Sequence, residues 1–173
     1  AMTGVGIGAA LNGIRPIMTH QRMDFFLLAM DQLVNNAAKW HYMFGGAASV
    51  PITIRLILGR GWGQGPTHAQ NLQSWLAHVP GIKVAMPATT PDAYTLLRAA
   101  IDDPNPVVFL EHRWLHQQEG ALANSGEILP FGKARVVREG SDITLAGFSY
   151  MIMEALHAAE WLSGHGIECE VID

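Results

Sequence analysis

The sequence predicts an α/β protein: a doubly wound, mainly parallel sheet with helices on both faces, followed by the start of a second α/β domain. Three observations predict it. Apolar runs of strand length alternate with stretches of helical spacing along all 173 residues. That repeated alternation argues for parallel strands covered on both sides. One β-branched run, residues 50–58 (VPITIRLIL), leads directly into a four-glycine loop, GRGWGQGPTHAQ at residues 59–70, with a helix beyond it.

Taken in order, residues 4–13 (GVGIGAALNG) are small and apolar and close on Gly13, as a short buried helix does. Residues 4–9 formally match the dinucleotide fingerprint G-x-G-x-x-A, with Asp24 as the acid further on, but no strand precedes them. Close packing against a neighbouring helix explains the glycines equally well. Residues 15–19 read as a short strand and residues 20–25 as the loop beyond its end. A long helix is expected over residues 26–43, turning Leu28, Met30, Leu33, Val34, Ala37 and Ala38 inward and ending at Gly45 and Gly46.

After the glycine loop, residues 71–78 have helical spacing and stop at Pro80 and Gly81. A strand is expected at residues 83–87. Thr90 then reads as the N-cap of a helix with Pro91 at its first position, running to about Ile101 before Asp102-Asp103-Pro104-Asn105-Pro106 breaks it. Residues 107–111 form the next strand. His112 and His116 stand at helical zinc-ligand spacing, but no third ligand is apparent, and a hydrogen-bonded or solvated pair is the preferred reading. The expected organisation is a first domain over residues 1–116, a polar, glycine-containing linker over 117–141, and the start of a second domain over 142–173 built as strand, helix, strand.

Composition narrows the function classes. With 49% apolar and 15% charged residues the chain reads as globular, and a formal charge of −4 without a Lys/Arg cluster leaves no footprint for nucleic acid. The single cysteine, Cys169, lies in an apolar run and is expected as a buried thiol in a reducing compartment. No apolar run approaches a membrane span and no signal peptide is visible, so a cytoplasmic location is expected. The abrupt start inside a small-residue pattern reads as a cut from something longer.

In open α/β sheets ligands bind beyond the carboxyl ends of strands. That makes the glycine loop the first place to look, with His68 as a group able to exchange protons near neutral pH. Phe25, at a strand-to-helix junction, is the one aromatic in its segment placed to meet a ligand, although ordinary core packing is the preferred reading of its position alone.

Several phrases taken together carry a resemblance: GVGIGAALNGIRPI, MDFFLLAMDQLVNNAAKWHYMFGG, VPITIR, THAQNLQSW, HVPGIKVAMPATTPDAYTLLRAAIDDPNPVVFLEH, PFGKARVVREGSDITL and AAEWLSGHGIECEVID. They resemble, in order and across essentially the whole chain, the beta subunit of thiamine-diphosphate-dependent 2-oxo acid dehydrogenases of the pyruvate, branched-chain and acetoin types. The resemblance implies a thiamine-diphosphate-binding fold with a transketolase-like pyrimidine-binding domain. It implies oxidative decarboxylation of a 2-oxo acid, with the acyl unit passed to a lipoyl acyltransferase. The implied partners are an alpha subunit, which binds the diphosphate through magnesium, and a second beta chain within a heterotetramer. By resemblance Phe25 contacts the cofactor pyrimidine, and His68 orients substrate and assists acyl or proton transfer. Ile52, Ala100, Asp103 and Asn105 correspond to a structural potassium site found in some members. The implied location is the cytoplasm, or a mitochondrial or plastid matrix in a eukaryote.

Two departures from the pattern stand out. The family's activating glutamate would lie about two residues before Ala1, so the piece given is expected to be inactive alone. Ala69, where a serine is usual, and the Trp62-Gly63-Gln64 loop point to a subgroup with a different acceptor or substrate. Two other readings stay open: a transketolase-like ketol transferase, and a non-catalytic pyrimidine-domain fragment.

Overall fold

The computed structural model describes residues 1–61, 63–122 and 130–173. Trp62, named above in the loop departure, and residues 123–129, inside the expected linker, lie outside the described residues. The chain opens with helix α1 (Met2–Leu11), which buries Thr3, Ile7 and Ala10. A Cβ at Gly6 would stand 2.6 Å from Met18 Sδ and 3.3 Å from Ile52 Cδ1. The glycine pattern of residues 4–9 therefore serves close packing of a helix, and it does not form the strand-to-helix turn of a dinucleotide site.

Strands β1 (Ile17–His20), β2 (Thr53–Leu58), β3 (Lys83–Ala85) and β4 (Val107–His112) form one sheet in the order β1-β2-β4-β3, with every pairing parallel. Alternation along β2 and β4 divides their side chains between two cores. Ile54, Leu56, Leu58, Val108 and Leu110 pack with Ile7, Phe26 and Leu33 on one face. Val107 and Phe109 pack with Ala85, Ala100, Leu96 and Leu97 on the other. Both faces of the sheet are thus covered, as expected for parallel strands.

The helix expected over residues 26–43 is a helical path whose hydrogen-bond spacing changes along it. It comprises α2 (Met23–Phe26), a tight 3₁₀ turn at Leu27–Ala29, a wide π segment at Gln32–Ala37, and α3 (Ala38–Met43). Starting three residues early and passing through a tight turn shifts the phase. Met23 and Phe26 take the core positions, and Leu28, expected to point inward, is 93% exposed. Leu33, Ala37 and Ala38 are buried as expected.

Helix α4 (Gln73–Ala77) leads to β3, and α5 (Thr90–Asp102) crosses to β4. The cap of α5 is Thr89, one residue before the one expected. Thr89 has extended dihedrals, and its Oγ1 accepts from the Asp92 N–H at 3.4 Å, which puts Pro91 second in the helix.

The second sheet holds β5 (Val136–Arg138), β6 (Ile143–Ala146) and β7 (Cys169–Ile172) in the order β5-β7-β6, with β6 parallel and β5 antiparallel to β7. Helix α6 (Tyr150–Ser163) covers it, burying Ile152 and Ala159 against Cys169 and Val171. Cys169 is a free, buried thiol. Strand β5 falls inside the stretch expected to be linker. Its charged flanks hide a strand whose backbone is held by its neighbour: Arg135 and Asp173 exchange two N–H···O=C bonds of 2.9 Å just beyond it. An ion pair of 2.7 Å between Arg135 and Asp92 ties this sheet to α5.

Candidate functional site

Because the strands of the first sheet are parallel, β1, β2 and β4 deliver the segments that follow them to the same edge. The loop after β2 carries Gly59, Gly61, Gly63 and Gly65, all with positive φ, at 117°, 90°, 66° and 79°. A Cβ at Gly59 would lie 2.9 Å from His112 Nε2, and one at Gly61 would lie 2.5 Å from the Trp114 ring. The loop presses onto the end of β4 because these two positions carry no side chain.

The far half of the loop is pinned to the segment after β1. Asp24, in the first turn of α2 and 7% exposed, accepts at Oδ1 from the Gln70 backbone N–H (3.2 Å) and from its side-chain amide (2.9 Å). Arg22 donates to Gln64 Oε1. The result is a meeting of two rings: Phe25 and His68 stand edge to face, centroids 5.2 Å apart and planes 86° from parallel. His68 ends a 3₁₀ turn, Pro66–His68, with Nδ1 3.2 Å from Thr67 Oγ1. Phe25 is 47% exposed and stands beside the buried carboxylate of Asp24.

Below these rings lie polar atoms without protein partners: His20 Nε2, Arg22 Nη1 and Asp24 Oδ2 are buried and unpaired. The His20 ring stands edge-on to Phe26 at 5.0 Å, and burial pushes its protonation below the usual imidazole range. Buried polar groups are ordinarily satisfied, so three orphans within residues 20–24 set this segment apart. Sequence reasoning placed Phe25 and His68 but treated residues 20–24 only as loop. The contribution of His20 and Arg22 depends on contacts that no local pattern announces.

Ile52, Ala100, Asp103 and Asn105 also converge, at the opposite edge of the sheet, where β2 and β4 begin. Oxygens of Ile52, Ala100 and Asp103 already accept hydrogen bonds. The Ile52 carbonyl accepts from the Val107 N–H (3.0 Å), and the Ala100 carbonyl from Thr53 Oγ1 (3.0 Å). Arg15 donates to the Ile101 carbonyl (2.7 Å) and the Asp103 carbonyl (3.0 Å). The Asp103 carboxylate pairs with Lys83 and accepts from the Asn105 N–H and side chain. The oxygens are of the hard type an alkali cation takes, but two cationic side chains already serve this corner.

His112 and His116 part company. His116 turns to Glu111 (3.4 Å), which also holds Arg55, while His112 stacks on Tyr150 at 4.9 Å. Among the described residues, no cluster of three or more His, Cys, Asp or Glu side chains is arranged to hold a metal.

A parallel sheet in the order β1-β2-β4-β3, an exposed phenylalanine against a histidine at its carboxyl edge, and a second α/β unit behind it define a transketolase-like α/β protein. Residues 1–118 match the transketolase pyrimidine-binding domain and residues 132–173 the transketolase C-terminal domain. The chain belongs to the transketolase pyrimidine-binding domain family. It is 45% identical to the mitochondrial pyruvate dehydrogenase E1 component subunit beta-1 of Oryza sativa subsp. japonica, over 99% of this chain and 47% of that protein. It is 42% identical to the acetoin:2,6-dichlorophenolindophenol oxidoreductase subunit beta of Cupriavidus necator, over 100% of this chain and 51% of that protein. The chain thus spans about half the length of these curated relatives. Among solved structures, a split-gene transketolase, an inactive beta4 tetramer, superimposes with a TM-score of 0.80 at 21% identity, over 99% of this chain and 53% of that one, and shares the fold.

Proposed function

We propose that the chain is the cofactor-ring side of the beta chain of a thiamine-diphosphate-dependent 2-oxo acid dehydrogenase. The observation that carries this reading is the Phe25–His68 contact at the carboxyl edge of the sheet, held by Asp24 and Gln70. Identity above 40% to dehydrogenase beta subunits, against 21% to the split-gene transketolase, favours a dehydrogenase over a ketol transferase.

The residues suit the aminopyrimidine of the cofactor. Phe25 offers an exposed aromatic face for stacking, and the unpaired atoms of His20, Arg22 and Asp24 offer both acceptors and donors. When bound, thiamine diphosphate supplies the carbon nucleophile and electron sink for loss of carbon dioxide from a 2-oxo acid. Phe25 holds the ring, Asp24 fixes the loop that carries His68, and His68 moves a proton at its imidazole as the acyl group is passed to a lipoyl carrier. Magnesium is assigned, by the resemblance, to an alpha subunit. At the second cluster a potassium ion would have to share oxygens with Arg15 and Lys83, so the structural role of that corner is assigned to those two side chains.

The proposed partners are an alpha subunit, a lipoyl acyltransferase, and a second beta chain within a heterotetramer, in the cytoplasm or an organelle matrix. Among the described residues no helix is long and apolar enough to cross a membrane. The test is to combine the full-length protein with a candidate alpha subunit and titrate thiamine diphosphate and magnesium. Carbon dioxide release from pyruvate and from branched 2-oxo acids is then followed. Cofactor affinity of the mixture above that of the alpha subunit alone is the expected result. Affinity unchanged by the chain, with no release from any acid, would overturn the reading in favour of a non-catalytic domain.

A further inference from the structure

A cavity of 380 Å³ opens between the two sheets, where β2 and β4 end and α6 begins. Arg60, Gln73, His112, Trp114, Ser149 and Tyr150 line it. That volume is of small-molecule size.

Ser149 is the N-cap of the 14-residue helix α6 and makes no capping hydrogen bond. It is 2% exposed, and its Oγ is buried without any partner. It is also the one non-glycine with positive φ among the described residues, at 57°. A second buried oxygen without a donor, Gln73 Oε1, belongs to another residue of the same lining. Two buried polar side chains without partners, from elements far apart in the chain, belong to this one lining, and a ligand there that satisfies them removes the cost of both.

The lining also fixes the chemistry. The first amides of a helix have no acceptor within it and carry its positive end. Arg60 adds a full positive charge to the same lining. One acid, Glu154, also belongs to the lining, and its proximity raises the Tyr150 hydroxyl above the usual phenol range. The same lining carries a wall of rings: His112 stacks on Tyr150 with planes 14° apart, and Trp114 meets Tyr150 edge-on at 4.9 Å. We propose that this cavity binds a small flat hydroxy-carboxylate, its anionic end at Ser149 and Arg60, its hydroxyl donating to Gln73 Oε1 and its body against the Tyr150–Trp114 wall.

The test uses the chain alone, with 4-hydroxybenzoate and its methyl ester as probes, followed by calorimetry and by tryptophan fluorescence. The acid should saturate at about 1 mM or below while the ester does not, because the ester keeps the ring and hydroxyl but loses the charge. Arg60→Gln and Ser149→Gly should each weaken the acid about 5- to 10-fold, the scale of one charge-assisted hydrogen bond. Arg60 is exposed and Ser149→Gly relaxes a positive-φ residue, so neither should lower the melting temperature. Equal binding of acid and ester would overturn the anionic end. Absence of saturation, or saturation indifferent to both variants, would overturn the site.

Discussion

Asp24 accepts from both the backbone N–H and the side-chain amide of Gln70, and this one carboxylate joins two segments that the sheet only brings near each other. Hydrogen bonds to a charged group contribute about 1.5–3 kcal/mol each, and Asp24 is buried, so little water replaces them on removal. Asp24→Ala should therefore destabilise the chain by about 2–3 kcal/mol in urea unfolding. The His68 ring should also lose its fixed position against Phe25, read as collapse of its ring-current shift in the proton spectrum. A stable variant with the His68 signal unmoved would show that the loop is held by something else.

Phe25 and His68 touch but should fail in different ways. In the complex with an alpha subunit, Phe25→Ala should raise the dissociation constant for thiamine diphosphate about tenfold, the loss of one aromatic contact. His68→Ala should leave that constant within about twofold and lower transfer to a lipoyl acceptor about 100-fold or more, the usual scale of general acid–base assistance. Matching losses in both quantities for both variants would contradict the separate roles.

The glycine-rich loop after β2 was legible because a β-branched run ending in glycines has a local signature, whereas the roles proposed for Phe25 and His68 came from the resemblance. What was not legible depends on contact between remote segments. The ring of Trp114 fits over Gly61, and Tyr150 lies on His112, only because the second sheet returns to the end of β4. Strand β5 read as linker because Val136 and Val137 sit between Arg135, Arg138 and Glu139, and its identity as a strand comes from β7. The cap of α5 moved by one residue because Thr89 and Thr90 are chemically alike, and the extended dihedrals of Thr89 decide between them. Leu28 was misplaced because an even 3.6-residue period cannot register a tight turn followed by a wide segment.

That misplacement yields a direct test. Leu56 is fully buried in β2 between Phe26 and the other side chains of the larger core, so Leu56→Ala should cost about 3–4 kcal/mol through lost transfer energy and a residual cavity. Leu28→Ala, at an exposed position, should change stability by less than about 0.5 kcal/mol. A cost at Leu28 approaching that at Leu56 would restore the unbroken helix, with Leu28 turned inward.

The histidines set the direction of the pH dependence. His112 is held below the usual imidazole range first by burial and then by the neighbouring charges of His116 and Arg60, and His20 is held below it by burial. A histidine whose folded value is depressed binds fewer protons folded than unfolded once the pH falls below about 6.5, so stability drops as the solution is acidified through that point. Asp173 works in the opposite sense. Burial first, and then the charge of Asp92, raise its carboxyl to about 6 against the pull of Arg135, so between its unfolded value of 3.8 and that pH acidification favours the folded state. The melting temperature should therefore fall as the pH is lowered from 7.5, where the histidines act first, and fall less steeply towards and below pH 6 as Asp173 takes up its proton. His112→Gln, which keeps a planar side chain without a titrating group, should flatten the upper part of that fall. Asp173→Asn should steepen the lower part. An unchanged profile in His112→Gln would place the acid sensitivity on other groups, with His20 the first to examine by the same substitution.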